Sequence, residues 1–189
     1  MLRQGRFEYE DAPINGVKFI RKLPILDDRG VFTRLYDAEE MRSLGWQKPI
    51  ADINLSFTRE RGTVRGMHYQ LPPYAESKLI WCVVGVVFDV LVDLRFGSPT
   101  FLETFEREIS SERQEGILAP EGIAHGFQTL TDHVEMLYCH SAPFRTRSQA
   151  NVNPLDQRIA ISWPLAITNM SQKDSNSAFL SEDYKGITL

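Results

Sequence analysis

The chain is poor in cysteine. Cys82 and Cys139 are the only thiols in 189 residues, too few and too far apart for a disulfide framework or a zinc site. They are expected to be buried thiols in a reducing compartment. A surplus of basic charge is also missing. The net charge is −4, and no Lys/Arg stripe marks a nucleic-acid footprint. No long apolar run is present either. The longest, near Leu79–Leu94, is broken by Gly85, Asp89 and Asp93, so no segment is expected to cross a membrane. The opening "MLRQGRFEYEDAPING" has no apolar signal core. Repeats, low-complexity tracts and linkers are absent. These absences point to one cytoplasmic domain, 1–189, with neither membrane nor nucleic acid as partner.

What is present is mostly strand pattern. Val17–Leu26 is β-rich and stops at the turn signal "DDRG". "VFTRLYD" alternates after it. One helix start follows: Asp37 as N-cap, Glu40 at N3, Met41 and Leu44 on one face, Gly45 as stop. Ile50–Phe57, Thr63–Gln70, Phe101–Ile109, Val134–His140 and "RIAISW" read as strands. "APEGIAHGF" reads as a turn entering a strand. Lys78–Leu94 is too long for one strand, and Gly85 is expected to fold it into a hairpin. About ten short strands and one helix imply an all-β sandwich or barrel.

Histidine is scarce, with four in the chain, so each placement matters. His68 lies in "TVRGMHYQLPP", where strand alternation puts His68 and Gln70 on one face and Arg65, Met67 and Tyr69 on the other. A bulge at Gly66 would re-aim them. Taken alone, His68 reads more readily as a histidine satisfied by a neighbour. His125, in "PEGIAHGF", reads equally as a turn organiser. His133 and His140 read as structural or exposed. Tyr138 shares a strand face with Met136 and His140, and its hydroxyl needs a partner if buried. Arg29, Arg34, Arg65, Lys78 and Lys173 are each ordinary surface cations unless the strands close around them. A metal cage would need a second histidine where "HYQ" stands; Glu76 and His125 with His68 alone make a poor donor set.

Five motifs taken together are specific. "DDRGVF", "RGMHYQLPP", "KLIWCVVGVVFDVLVDLRFGSPTF", "PEGIAHGF" and "ISWP" occur in an order and spacing that resemble the dTDP-4-dehydrorhamnose 3,5-epimerase family, from about Val17 to Asp174. The resemblance implies a cupin-type double-stranded β-helix (jelly roll) with one or two short helices. It implies a homodimer that exchanges N-terminal strands, and no metal or organic cofactor. The implied substrate is a nucleotide-diphosphate 4-keto-6-deoxy sugar. It assigns His68 as base, Asp174 as its carboxylate partner, Tyr138 as acid across the sugar, and Lys78 near the C4 oxygen. Arg29, Arg65 and Lys173 match positions that hold diphosphate or sugar. Phe32 matches an aromatic beside the base, Asn54 a polar pocket residue and His125 a turn position. Gln70 joins them because it shares the face of His68.

The chemistry is coherent in its own terms. Carbon next to a ketone is acidic because its anion delocalises onto oxygen. A neutral imidazole, with an ordinary pKa of about 6.5, takes such a proton near neutrality. A carboxylate fixes its tautomer, and a cation stabilises the enolate oxygen.

The chain also departs from the family pattern. Arg34 stands where the family usually has Glu, and Asp52 where it has Gln, at positions the resemblance places near the nucleotide base. Thymine offers an N3–H donor, whereas cytosine offers an N3 acceptor and an N4 donor. The exchanged polarity suits cytidine diphosphate; the alternative is that Arg34 pairs with Asp52 or a phosphate and the base is still thymine. Pro143 and Phe144 replace a Tyr-Tyr pair, and Pro154-Leu155-Asp156 a Trp-Asn-Asp. The competing enzyme is a cupin 3,4-ketoisomerase for the same sugars. A metal-dependent cupin would be separated by metal analysis. An inert sugar-nucleotide binder would not need His68, Asp174 and Tyr138 together.

Overall fold

The computed structural model describes residues 1–189, with the Gln4 side chain excepted. The strands run in chain order as β1 (Leu2–Gln4), β2 (Phe7–Asp11), β3 (Lys18–Lys22), β4 (Ile25–Asp27) and β5 (Gly30–Phe32). Helix α1 (Ala38–Ser43) precedes β6 (Asp52–Thr58), β7 (Thr63–Gln70), β8 (Lys78–Val84) and β9 (Val86–Asp93). Then come β10 (Thr104–Ser110), β11 (Glu115–Ala119), β12 (Ile123–Thr129), β13 (Val134–His140), β14 (Gln149–Asn151), β15 (Asn169–Met170) and α2 (Gln172–Ser175). Neither helix is long and apolar enough to cross a membrane.

Two sheets face each other as a jelly roll. One has the order β1-β2-β3-β11-β8-β13-β6, the other β10-β9-β12-β7-β14 with β15 parallel to β7. Strand alternation sorts the residues into three apolar layers. Phe19, Ile80 and Ile117 of the first sheet meet Val87, Leu91 and Phe127 of the second in the interior. Leu79, Trp81 and Cys139 point outward from the first sheet, beneath Met41, Leu44 and Trp46 of the helical segment. Val90, Val92 and Met67 point outward from the second, beneath Ile159, Leu180 and Ile187 of the C-terminal segment. Both cysteines are free and buried.

The expected helix forms with its expected cap: the Asp37 carboxylate accepts from the Glu39 and Glu40 N–H groups. Four strand expectations change. The Gly85 break does not make a hairpin, because β8 and β9 belong to different sheets. Gly85 has φ +87°, and a Cβ there would lie 2.6 Å from Thr131 Oγ1, so the crossing requires glycine. "VFTRLYD" is extended only to Phe32, since Arg34 turns back to pair with Asp37 at 3.0 Å. β10 starts at Thr104 rather than Phe101 because Leu102 has φ +64°. "RIAISW" is not a strand: Ala160, at φ +44°, breaks the extended run. Strands β1, β2, β11, β14 and β15 had no sequence expectation.

The irregularity that shapes the cleft lies between β7 and β12. His125 pairs with His68 and Phe127 with Arg65, so β7 holds two residues opposite the single Gly126. This bulge puts Arg65 and His68, three apart, on the same inner face and turns Met67 outward. Simple alternation had separated them. The two strands touch at glycines: a Cβ on Gly66 would lie 2.7 Å from Gly126 Cα, and one on Gly126 would lie 2.4 Å from Met67 Sδ. Gly126→Ala is expected to lower unfolding stability by about 1–3 kcal/mol, the usual cost of overpacking. Urea denaturation measures it, and an unchanged midpoint would show that the strands part freely.

Candidate active site

Inner-face residues of both sheets line a cleft of about 250 Å³. His68 on β7 and Tyr138 on β13 occupy opposite walls, because their strands belong to opposite sheets. His68 Nε2 lies 2.7 Å from Asp174 Oδ1. Ser171 caps α2, and its side chain accepts from the Asp174 N–H, which fixes the turn that presents the carboxylate. Asp174 also accepts from Asn151 Nδ2 at 3.2 Å and from the Gly66 N–H at 3.4 Å. Burial works to raise its pKa, but the His68 hydrogen bond and charge, with Ser171 and Gly66, outweigh it and hold the carboxyl below its ordinary range. Asp174 is therefore ionised and accepts the Nε2 proton, leaving Nδ1 of His68 as the free base.

Tyr138 is held by Ser56 Oγ at 3.2 Å. Burial drives its hydroxyl pKa far upward, so it stays protonated until a strong base meets it. Lys78, 5% exposed, reaches from β8 and donates to the His68 carbonyl at 2.9 Å. Burial lowers its pKa, while Glu76, 3.4 Å away, opposes that. Glu76 also accepts from Gln70 Nε2 at 3.0 Å and lies 3.1 Å from His140 Nδ1. In a further pair, His125 Nε2 and Asp89 Oδ2 are 2.8 Å apart, with Asp89 fully enclosed behind the His125 ring.

Among the sequence-chosen residues, His68, Tyr138, Lys78, Asn54, Arg65, Gln70 and His125 line this cleft. Arg65 is fixed by bonds to Thr58 Oγ1 and the Phe57 carbonyl on β6. Asp174 and Lys173 line an adjoining cavity of about 280 Å³ that shares His68 and Arg65. Asp52 lies at the rim, accepting from the Phe144 N–H at 2.8 Å. Arg29, Phe32 and Arg34 do not line the cleft. They stand on or just after the β4–β5 hairpin, with Arg29 paired to Asp27 and Arg34 to Asp37. Arg34 and Asp52 thus have separate partners within the chain.

Sequence reasoning left out Ser56, named Phe144 only as a replacement in the family pattern and Asp89 only as a break in an apolar run, took Glu76 only as a weak metal donor, and set His140 aside as structural or exposed. Period-two spacing carried the signal for two of them: Ser56 follows Asn54, and His140 follows Tyr138, on the same inner faces. Among the described residues no three His, Cys, Asp or Glu side chains gather as a metal-binding group.

Comparison with known proteins follows the same lines. A family model described as dTDP-4-dehydrorhamnose 3,5-epimerase matches residues 11–182. A dTDP-4-dehydrorhamnose 3,5-epimerase of Sinorhizobium fredii is 36% identical over 180 residues, 92% of this chain and 90% of that protein. The Bacillus anthracis enzyme of the same name, solved with TDP and PPi bound, superposes with a TM-score of 0.88 at 33% identity, covering 92% of this chain and 99% of that one. A 3'-monoepimerase from Streptomyces bikiniensis, solved with dTDP-quinovose, gives 0.82 at 30% identity, covering 89% and 85%.

The depressed pKa of Asp174 makes a prediction about stability. A carboxyl held below its unfolded value of 3.8 stabilises the fold above that pH, and the contribution fades as pH falls through the lower folded value. Asp174→Asn should therefore unfold in less urea than the natural protein at pH 7, with the gap closing below pH 3.8. A gap as wide at pH 3 as at pH 7 would contradict the ionised pairing.

Proposed function

The chain belongs to the dTDP-4-dehydrorhamnose 3,5-epimerase family, a family of carbohydrate isomerases with the cupin-type jelly roll, and on that footing we propose that it inverts C3, C5 or both in a nucleotide-linked 4-keto-6-deoxyhexose. The observation that carries this reading is the placing of His68 and its carboxylate opposite a protonated Tyr138, with the Lys78 ammonium beside them. His68 Nδ1 takes the proton next to the ketone. Asp174 stabilises the imidazolium that results. Lys78 meets the charge that collects on the C4 oxygen, in a buried setting where that attraction is strong. Tyr138 then protonates the opposite face of the enolate. Proton transfers alone balance the inversion. The 3,4-ketoisomerase alternative gains no support from the comparisons, whose names are those of epimerases.

The substrate-facing roles extend to Asn54, Arg65, Gln70, His125 and Lys173 as donors to sugar and diphosphate. Arg29, Phe32 and Arg34 act from a partner protomer in a homodimer that exchanges N-terminal strands. Two features support the dimer: the hairpin is solvent-exposed, with Phe32 64% accessible, and edge strand β6 shows water a row of Ile53, Leu55 and Phe57. Cytidine diphosphate is the carrier that Arg34 and Asp52 favour, for the polarity reason given above.

Three measurements test these readings. With dTDP- or CDP-linked 4-keto-6-deoxyglucose in D2O, NMR should show solvent deuterium at C3, C5 or both. His68→Asn should abolish the exchange, and Tyr138→Phe should retain exchange at one carbon while blocking inversion. Full turnover by Tyr138→Phe would remove that tyrosine from its role. Calorimetry with CDP, dTDP, UDP and GDP should rank CDP first; clear preference for dTDP would return the base to thymine. Sedimentation should give a dimer that Leu55→Asp weakens, whereas a monomeric natural protein would end the strand-exchange reading.

A further inference from the structure

Tyr138 cannot act twice without a proton supply. Each inversion places one proton on His68 Nδ1 and takes one from the Tyr138 hydroxyl, leaving an imidazolium and a phenolate. Burial makes that phenolate unfavourable, and the bonded neighbour of the hydroxyl is Ser56, which can relay a proton but not store one.

We propose that His140, held by Glu76, returns a solvent proton to Tyr138 between inversions, an inference that rests on the epimerase reading above. His140 lies two residues beyond Tyr138 on the same face of β13, with the ring centroids 6.1 Å apart. Glu76 Oε2 holds its Nδ1 at 3.1 Å, and both side chains are largely buried. The ring lines the cleft, and Nε2 forms no hydrogen bond among the described residues. The arrangement repeats His68–Asp174 with the two ring nitrogens exchanged.

The step balances. Nε2 takes a proton from solvent, and Glu76 stabilises the imidazolium. The proton then passes from Nε2 through a cleft water to the phenolate oxygen, leaving neutral His140 and neutral Tyr138. His68 returns its proton to solvent, so nothing is consumed. The other polar groups around His140 are Lys78 and Asp52, its register partners on β8 and β6, and Gln70, which shares Glu76 Oε2. Lys78 offsets the Glu76 charge without displacing His140 from it. His125 is equally near Tyr138, at 6.1 Å, but its Nε2 is tied to Asp89, whose side chain is fully enclosed.

The test follows inversion of dTDP-4-dehydro-6-deoxyglucose, and of its CDP-linked counterpart, by NMR in D2O, because His68 alone can exchange a carbon proton without Tyr138. Positioned proton transfer contributes about 10²–10⁴-fold, so His140→Asn should lower kcat about tenfold or more while KM moves less than about twofold. In a single turnover with enzyme in excess, the first inversion should keep its natural rate, because Tyr138 begins protonated. Free imidazole should restore steady turnover. Glu76→Gln should lower kcat in the same direction, and it carries the test if His140→Asn fails to fold. A natural kcat in both variants overturns the proposal. So does a loss that falls equally on the first inversion and resists imidazole in a protein whose thermal midpoint is unchanged. Absence of any exchange by the natural protein on either sugar nucleotide would instead overturn the epimerase reading, and this proposal with it.

Discussion

The site depends on how closely β7 can approach β12. Two glycines meet there with no room for a side chain on either, and the contact lets β7 carry one residue more than its neighbour. That residue frees backbone N–H groups which burial requires to be paired. The Met67 N–H goes to the Val152 carbonyl at 3.1 Å, and the Gly66 N–H to Asp174. The carboxylate that satisfies the bulge is therefore the one that orients His68. Backbone repair and the orientation of the imidazole are one arrangement, made by a single carboxylate.

Three of the four histidines are tied to a carboxylate: His68 to Asp174, His125 to Asp89 and His140 to Glu76. Exposure distinguishes them. The His125 side chain is 6% accessible and its acid 0%, which suits a fixed wall; His68 is 38% accessible and its acid 3%, which suits a base that meets substrate while its partner stays dry. A buried carboxylate is costly unless neighbours compensate it. Asp174 has four such neighbours and its pKa falls, whereas Asp89 keeps one oxygen unpartnered and its pKa rises through burial.

Strand limits set by local pattern were legible: Thr63–Gln70 and Val134–His140 form as their alternation implies. Features set by a distant neighbour were not. The direction of His68 turned on Gly126, a strand away. Gly85 announced a break, but whether the chain pairs back or crosses to the other sheet depended on the space beside Thr131. His140 looked ornamental because its partner, Glu76, lies 64 residues earlier. The five-motif resemblance supplied the pairing of His68 with Asp174, which no local rule could reach, and the structure adds the geometry that makes the pairing chemical.

That pairing spans 106 residues, and the segment bearing Asp174 is attached to β7 by a two-residue parallel bridge and a four-residue helix. The first sheet closes over similar separations, as where Glu115 pairs with Arg21, but it does so along whole strands, whereas this tail is held by a few residues. A chain whose jelly roll has closed but whose tail has not docked would own a formed cleft with an unarmed imidazole. The state of the His68 imidazole is thereby tied to the docking of a short segment far from it in sequence.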